Sequence, residues 1–189
     1  EITGPEDARM LRGLLVAASR DTVLANVRCA EQSGLTVTGV DLTSFAVLRS
    51  LGRRTCLEDG TEALIDIGAR VTNIVVHSAG VPRFVRILLM GGQDVTDAVA
   101  EQLGVPLDHA EGLKQQFARV SSGEELASVQ RAVTTTAQEF VDEIRGSLDY
   151  YGASNPTAPI EQIILSGGGS RLEGLVDRLA AVTRLTVID

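Results

Sequence analysis

Asp66-Ile67-Gly68-Ala69-Arg70-Val71-Thr72 puts a carboxylate at the end of an apolar run and a glycine two residues later. A turn at that place exposes backbone N–H groups that can hold phosphate oxygens, and the carboxylate can hold a hydrated Mg²⁺. The same residues also describe a plain hairpin turn with a solvent-facing acid. A second stretch, Leu165-Ser166-Gly167-Gly168-Gly169-Ser170-Arg171-Leu172-Glu173-Gly174, sets three glycines ahead of a helix start. Ser170 and Glu173 have the spacing of a capping box. Glycines before a helix N-terminus let a ligand approach the backbone, and they equally permit close strand–helix packing. No Gly-Lys-Ser/Thr follows, so this is not a Walker loop.

Glu111 and Lys114, in Ala110-Glu111-Gly112-Leu113-Lys114, are three apart and share a helical face. On their own they describe an exposed ion pair worth about 0.2–0.5 kcal/mol. Gly91-Gly92-Gln93-Asp94-Val95-Thr96 stands where a helix begins, as a ligand-facing N-terminus or as a capped turn. His77 and His109 have no paired ligands nearby, and two histidines do not assemble a Ser/His/Asp set. Cys29 falls on an apolar helical face and Cys56 in a polar stretch, neither with a basic surrounding that makes a thiolate.

The elements that must carry these residues follow from periodicity. Residues 13–18 read as a buried strand, 20–32 as a helix bearing Val23, Leu24, Val27 and Ala30, and 35–41 as a second strand. That is a strand–helix–strand crossover. Thr43 caps a further helix, and the polar residues 52–60 read as a linker. Beyond it the period becomes two. Residues 63–67, 71–77 and 82–89 are expected to form an antiparallel meander. Helices are expected over 93–103, 107–117 and 124–151, the last with Leu126, Val129, Val133, Phe140, Ile144, Leu148 and Tyr151 on one stripe. A buried strand over 160–165, a helix over 171–181 and a short strand over 185–188 complete the pattern.

Composition bounds the function. The 189 residues are 44% hydrophobic and 22% charged, enough apolar content for a packed core. A formal charge of −8 repels nucleic acid and anionic membrane surfaces. With no Trp, two Tyr and four Phe there is little for stacking bases. No run is long enough to span a membrane, and two cysteines make no disulfide framework. The chain begins at Glu1 with no signal peptide in view, so it reads as a cytoplasmic piece of a longer protein.

The order of these weak features is specific. From Ala63 to Leu172 the chain resembles the second lobe of the actin-like ATPase superfamily, which includes actin, Hsp70 and sugar kinases. Asp66 through Thr72, Leu88-Leu89-Met90-Gly91-Gly92-Gln93-Asp94-Val95-Thr96, Ala110 through Lys114, Glu143-Ile144-Arg145-Gly146-Ser147-Leu148-Asp149-Tyr150-Tyr151 and Leu165 through Arg171 resemble the PilM family of type IV pilus assembly proteins. Leu14 to Leu51 looks like the end of the first lobe in PilM or FtsA. The resemblance implies an α/β, actin-like (ribonuclease-H-like) fold, mostly the second lobe with part of the first. Residues 1–59 would be the end of the first lobe and 60–189 the nucleotide-binding second lobe.

By the same resemblance ATP and Mg²⁺ are the cofactors. Asp66, Gly68, Ala69, Arg70 and Thr72 would form the second phosphate motif, with Asp66 toward the metal. Glu111 and Lys114 would contact the ribose and base. Gly167, Gly168, Gly169, Ser170 and Arg171 would form the adenosine motif, with Gly91 and Gly92 beside it. The implied function is a cytoplasmic scaffold at the inner-membrane platform of the type IV pilus, with at most weak ATPase activity. It would bind the cytoplasmic tail of a PilN-like protein and other platform proteins, without nucleic acid or membrane insertion; a homo-oligomer is compatible with it. An FtsA-like cell-division protein is the rival, and an actin-like kinase for a small substrate the third class, although no base carboxylate is identified. The family's first phosphate motif and its C-terminal helix are not found in this sequence, which leaves roughly half a cleft. Ala69 and Arg70 place Cβ atoms where other members have glycine.

Overall fold

Apolar alternation needs a sheet with covered faces, and the residues from Thr61 onward build one. The computed structural model describes residues 2–3, 10–11, 13–55, 60–116 and 124–189. The chain divides into two compact units, Glu1–Leu42 and Thr43–Asp189.

In the first unit β1 (Ile2–Thr3) pairs antiparallel with β2 (Met10–Leu11), and α1 spans Arg20–Gln32. Val23, Leu24, Val27 and Ala30 form the half-buried stripe of α1, as their spacing predicts. Gly34 follows the helix at φ 81°. Cys29 is exposed rather than on the apolar stripe. The strands expected over 13–18 and 35–41 do not form; both segments are irregular, so the crossover is absent among the described residues. A strand is held by its neighbour's hydrogen bonds, not by its own pattern. Leu15, 97% exposed, has no sheet over it.

The second unit begins with α2 (Thr43–Thr55), which starts where Thr43 predicts and runs four residues into the expected linker. The rest of that linker, with Cys56, lies outside the described residues except for Gly60. Then come β3 (Thr61–Ile67), β4 (Thr72–Ser78) and β5 (Val81–Leu88), the expected meander. Three helices follow: α3 (Gly92–Leu103), α4 (Leu107–Gln116) and α5 (Glu124–Ser154). Phe117, the expected end of α4, lies outside the described residues. β6 (Gln162–Ser166) returns parallel to β3, and after α6 (Leu175–Thr183) β7 (Thr186–Ile188) pairs parallel with β6. The sheet order is β5-β4-β3-β6-β7.

Parity along β3 sorts the two faces. Ala63, Ile65 and Ile67 join Ile74, Val76, Ile163 and Leu165 against Phe140, Ile144, Leu148 and Tyr151 of α5 and Leu175 and Leu179 of α6. Leu64 points the other way, to Val75, Ile164 and Leu48 of α2. A separate helical core joins Val95 and Val99 of α3, Ala110 of α4, and Val129, Ala132 and Val133 of α5. Shortening a side chain as buried as Ile144 to Ala removes about 2–5 kcal/mol of stability.

His77 is structural. It is fully buried opposite Glu62, and Gln162 donates to Glu62 from the next strand. Gly80 N–H donates to His77 Nδ1 at 3.3 Å, which leaves the imidazole proton on Nε2, 3.4 Å from Glu62 Oε2. Burial lowers the His77 pKa, against the opposing pull of Glu62.

The helix after β6 starts later than its capping-box spacing predicts. Ser170 Oγ donates to Gly167 O at 2.8 Å and lies in a single 3₁₀ turn, Gly168–Arg171. α6 begins only at Leu175, after Gly174 in the left-handed conformation. A local back-bond competed with the cap and won.

Candidate functional site

Three segments meet at the ends of β3 and β6: the hairpin turn 68–71, the glycine loop 167–171, and the facing first turns of α3 and α4. With side chains from α5 they line a cavity of about 900 Å³. Gly68, Ala69, Arg70, Gly92, Glu111, Lys114, Gly168, Gly169 and Arg171 stand on its wall. Of the other residues singled out from sequence, Asp66, Thr72, Gly91, Gly167 and Ser170 are not on the wall.

The turn is closed by Gly68 N–H donating to Val71 O at 2.9 Å. Its carbonyls are also used. Gly92 N–H donates to Gly68 O at 2.9 Å and Gln93 N–H to Ala69 O at 2.7 Å. The first amides of α3 are therefore spent on the turn, which favours the capped-turn alternative over a ligand-facing N-terminus. This contact requires Gly91, because a Cβ there would lie 2.4 Å from Ala69 O. Asp94 Oδ2 accepts from Gly91 N–H at 2.6 Å and fixes the entry to the helix. Thr72 is fully buried, and its hydroxyl donates to Met90 O at 2.9 Å, so it braces the same junction.

The glycine loop needs its glycines for packing as well as for access. Gly167 has φ 87°, and a Cβ on it would lie 2.4 Å from Ile67 O. Gly168 faces open space, with nothing within 4 Å of its hypothetical Cβ. Asp66 is half-buried, on the Leu64 side of the sheet by parity, and pairs in register with Ser166. Its Oδ1 lies 2.9 Å from where a Gly167 Cβ would stand, so the carboxylate and the glycine loop are neighbours.

The α4 pair is more than the expected exposed ion pair. Lys114 Nζ lies 2.6 Å from Glu111 Oε2 and its side chain is only 16% exposed. It also donates to Gly92 O at 2.9 Å and to Thr96 Oγ1 at 2.8 Å. Thr96 Oγ1 in turn donates to Glu111 Oε2 at 2.5 Å, and Gln115 to Glu111 Oε1 at 2.8 Å. Desolvation pushes the Glu111 carboxyl up; the bonds from Lys114, Thr96 and Gln115, with the Lys114 charge, outweigh it and bring the pKa to about 2. Thr96 and Gln115 were not among the expected site residues. Thr96 follows Gly92 by one helical turn, a spacing that could have flagged it.

Among the described residues no three His, Cys, Asp or Glu side chains cluster to hold a metal ion. Asp66 alone fits a Mg²⁺ carried largely by phosphates and water, the usual manner of holding that ion. No helix of the described residues is long and apolar enough to cross a membrane.

A family model described as type IV pilus assembly protein PilM matches residues 3–188. Cell division protein FtsA of Bacillus subtilis (strain 168) is 29% identical over 155 residues, which cover 76% of this chain and 34% of FtsA. Among solved structures, the PilM-PilN type IV pilus biogenesis complex matches with a TM-score of 0.77 at 28% identity, over 89% of this chain and 47% of that one. MreB5 of Spiroplasma citri bound to AMPPNP matches with a TM-score of 0.67 at 13% identity, over 90% of this chain and 60% of its own. The chain thus spans less than half of that FtsA and of the chain in the PilM-PilN complex. Its fold is that of the actin-like ATPases.

Proposed function

Because the chain belongs to the PilM family of type IV pilus assembly proteins, we propose that it binds ATP with Mg²⁺ and serves as a cytoplasmic scaffold at the inner-membrane platform of the pilus. The observation that carries the nucleotide reading is the cavity in which turn 68–71, loop 167–171 and the Glu111–Lys114 pair converge. Gly68, Ala69 and Arg70 would hold the phosphates. Glu111, Lys114, Gly168, Gly169 and Arg171 would hold the nucleoside end. Gly91, Gly92, Thr72, Gly167 and Ser170 keep these segments at fixed distances, and Asp66 would hold Mg²⁺ through water. Bound Mg²⁺ supplies charge neutralisation of the triphosphate. A neighbour of the same fold, MreB5, is bound to AMPPNP in its solved structure, which supports the nucleotide reading.

The partner reading rests on the complex that the PilM match comes from: this chain would take the cytoplasmic tail of a PilN-like protein. Calorimetric titration of a full-length protein carrying both lobes with ATP, with and without Mg²⁺, and with a PilN-tail peptide tests both parts. Saturable binding of each is expected; absence of nucleotide binding would overturn the first, and absence of peptide binding the second. A cell-division role, favoured only by the FtsA match, would show as binding to a division partner in place of the PilN tail.

A further inference from the structure

A second cavity, about 570 Å³, lies between the end of β5 and α5, apart from the nucleotide cavity. On the strand side stand Arg86, Ile87 and Leu89, with Ile87 49% and Leu89 87% exposed. Across from them α5 presents Glu139, Asp142 and Glu143, exposed and at i, i+3 and i+4 on one helical face. Arg86 reaches Glu143 at 3.8 Å, and Gln138 donates to Asp142. Three carboxylates against one guanidinium leave the groove with a charge of −2.

β5 is also an edge of the sheet: it pairs with β4 and, among the described residues, with nothing on its other side. Proline and charge ordinarily guard such an edge. Pro82 and Arg83 guard the first half of β5, whereas in 85–88 only Arg86 does. Parity places Arg86, opposite Ile74, on the α5 side of the sheet and Ile87, opposite Asn73, on the other. An extended segment lying along this edge would alternate in the same way. One set of its side chains would meet the carboxylates of α5, the other Ile87.

We propose that this groove docks a basic, extended segment of a partner protein, which adds as a strand to the free edge of β5. Its lysines or arginines lie against Glu139 and Asp142, and its alternate apolar side chains cover Ile87 and Leu89. Main-chain bonds to the edge supply affinity, and the acidic wall selects the charge of the partner.

The test uses a labelled short peptide alternating Lys and Val, followed by fluorescence anisotropy. Saturable binding is expected, with a loss of about tenfold or more in Glu139→Lys/Asp142→Lys and in Leu89→Asp. Glu101→Lys/Asp177→Lys makes the same charge change elsewhere on the surface and should lose much less. A peptide alternating Glu and Val should not bind. Equal losses in the two charge-reversal pairs would overturn the proposal as diffuse attraction to an acidic chain. Unchanged binding in Leu89→Asp would overturn strand addition. A concentration-dependent dimer, dissolved by Leu89→Asp in sedimentation, would assign the edge to a second copy instead.

Discussion

Lys114 Nζ donates to the Gly92 carbonyl oxygen at 2.9 Å, so a side chain of α4 holds a backbone group in the first turn of α3. The same Gly92 gives its N–H to Gly68 O in the hairpin turn. One residue therefore joins the hairpin turn 68–71 to the Glu111–Lys114–Thr96 cluster.

Lys114→Ala should accordingly destabilise the protein as well as weaken nucleotide binding. It leaves Gly92 O, Thr96 and Glu111 without their cation, and bonds to a charged group are each worth about 1.5–3 kcal/mol. A clear drop in Tm is expected, which an exposed helical pair would not produce. No change in Tm would return the pair to that lesser role.

The Glu111 carboxyl also sets a pH signature. It titrates near 2 when folded and near 4.5 when unfolded, so the folded state binds fewer protons in between. Its stabilisation is complete above about 4.5 and is lost as pH falls toward 2. Glu111→Gln should flatten the stability curve in that window and leave its slope near neutrality unchanged. Denaturant melts at a series of pH values check this.

Gly167 and Gly168 are adjacent and should behave oppositely. Gly167→Ala meets both a positive-φ extended backbone (φ 87°, ψ 167°) that essentially only glycine adopts, at about 1–3 kcal/mol, and an overlap with the Ile67 carbonyl. Gly168→Ala meets open space. Only the first should lower Tm markedly; if both do, the loop is packed more tightly than its geometry indicates.

The meander was legible in the sequence because short, largely apolar runs separated by turn residues mark strands even where both sheet faces are covered, as they are for β3 and β4. The strands expected over 13–18 and 35–41 were not decidable in the same way. Their apolar pattern is local, but strand formation depends on a partner that pattern does not contain. For the site, the glycines and the Glu111–Lys114 spacing were visible. Their connection to Thr96 and Gly92 was not, because those contacts span 15 to 22 residues and depend on how α3 and α4 face each other. Thr72 looked like a ligand group from its place in a motif; strand parity sends it inside instead.

Asp66 places its carboxylate beside the glycine loop at the end of β3. Asp66→Ala should remove the Mg²⁺ dependence of ATP binding and leave ATP binding without metal nearly unchanged. Half-buried at a strand end, the site has water as an alternative partner, so Tm should move little. Retained metal dependence in the variant would assign the ion to other groups.

Arg70 should discriminate by phosphate count. It is exposed on the cavity wall in the turn after Asp66-Ile67-Gly68; of the other two cations on that wall, Lys114 is occupied by Glu111, Gly92 and Thr96, and Arg171 stands on the glycine loop. Its guanidinium is therefore a cation that can reach a triphosphate at this turn, with a fork geometry suited to phosphate oxygens. A bond of this kind is worth about 1.5–3 kcal/mol, or roughly tenfold or more in affinity. Arg70→Ala should weaken ATP by about that factor, ADP less, and adenosine hardly at all. The loss for ATP should shrink at high salt, where the attraction is screened. Calorimetry with the three ligands, at low and high salt, reads all of these. An equal loss for adenosine would place Arg70 at the nucleoside end, and no loss for ATP would leave the phosphates to the turn's backbone.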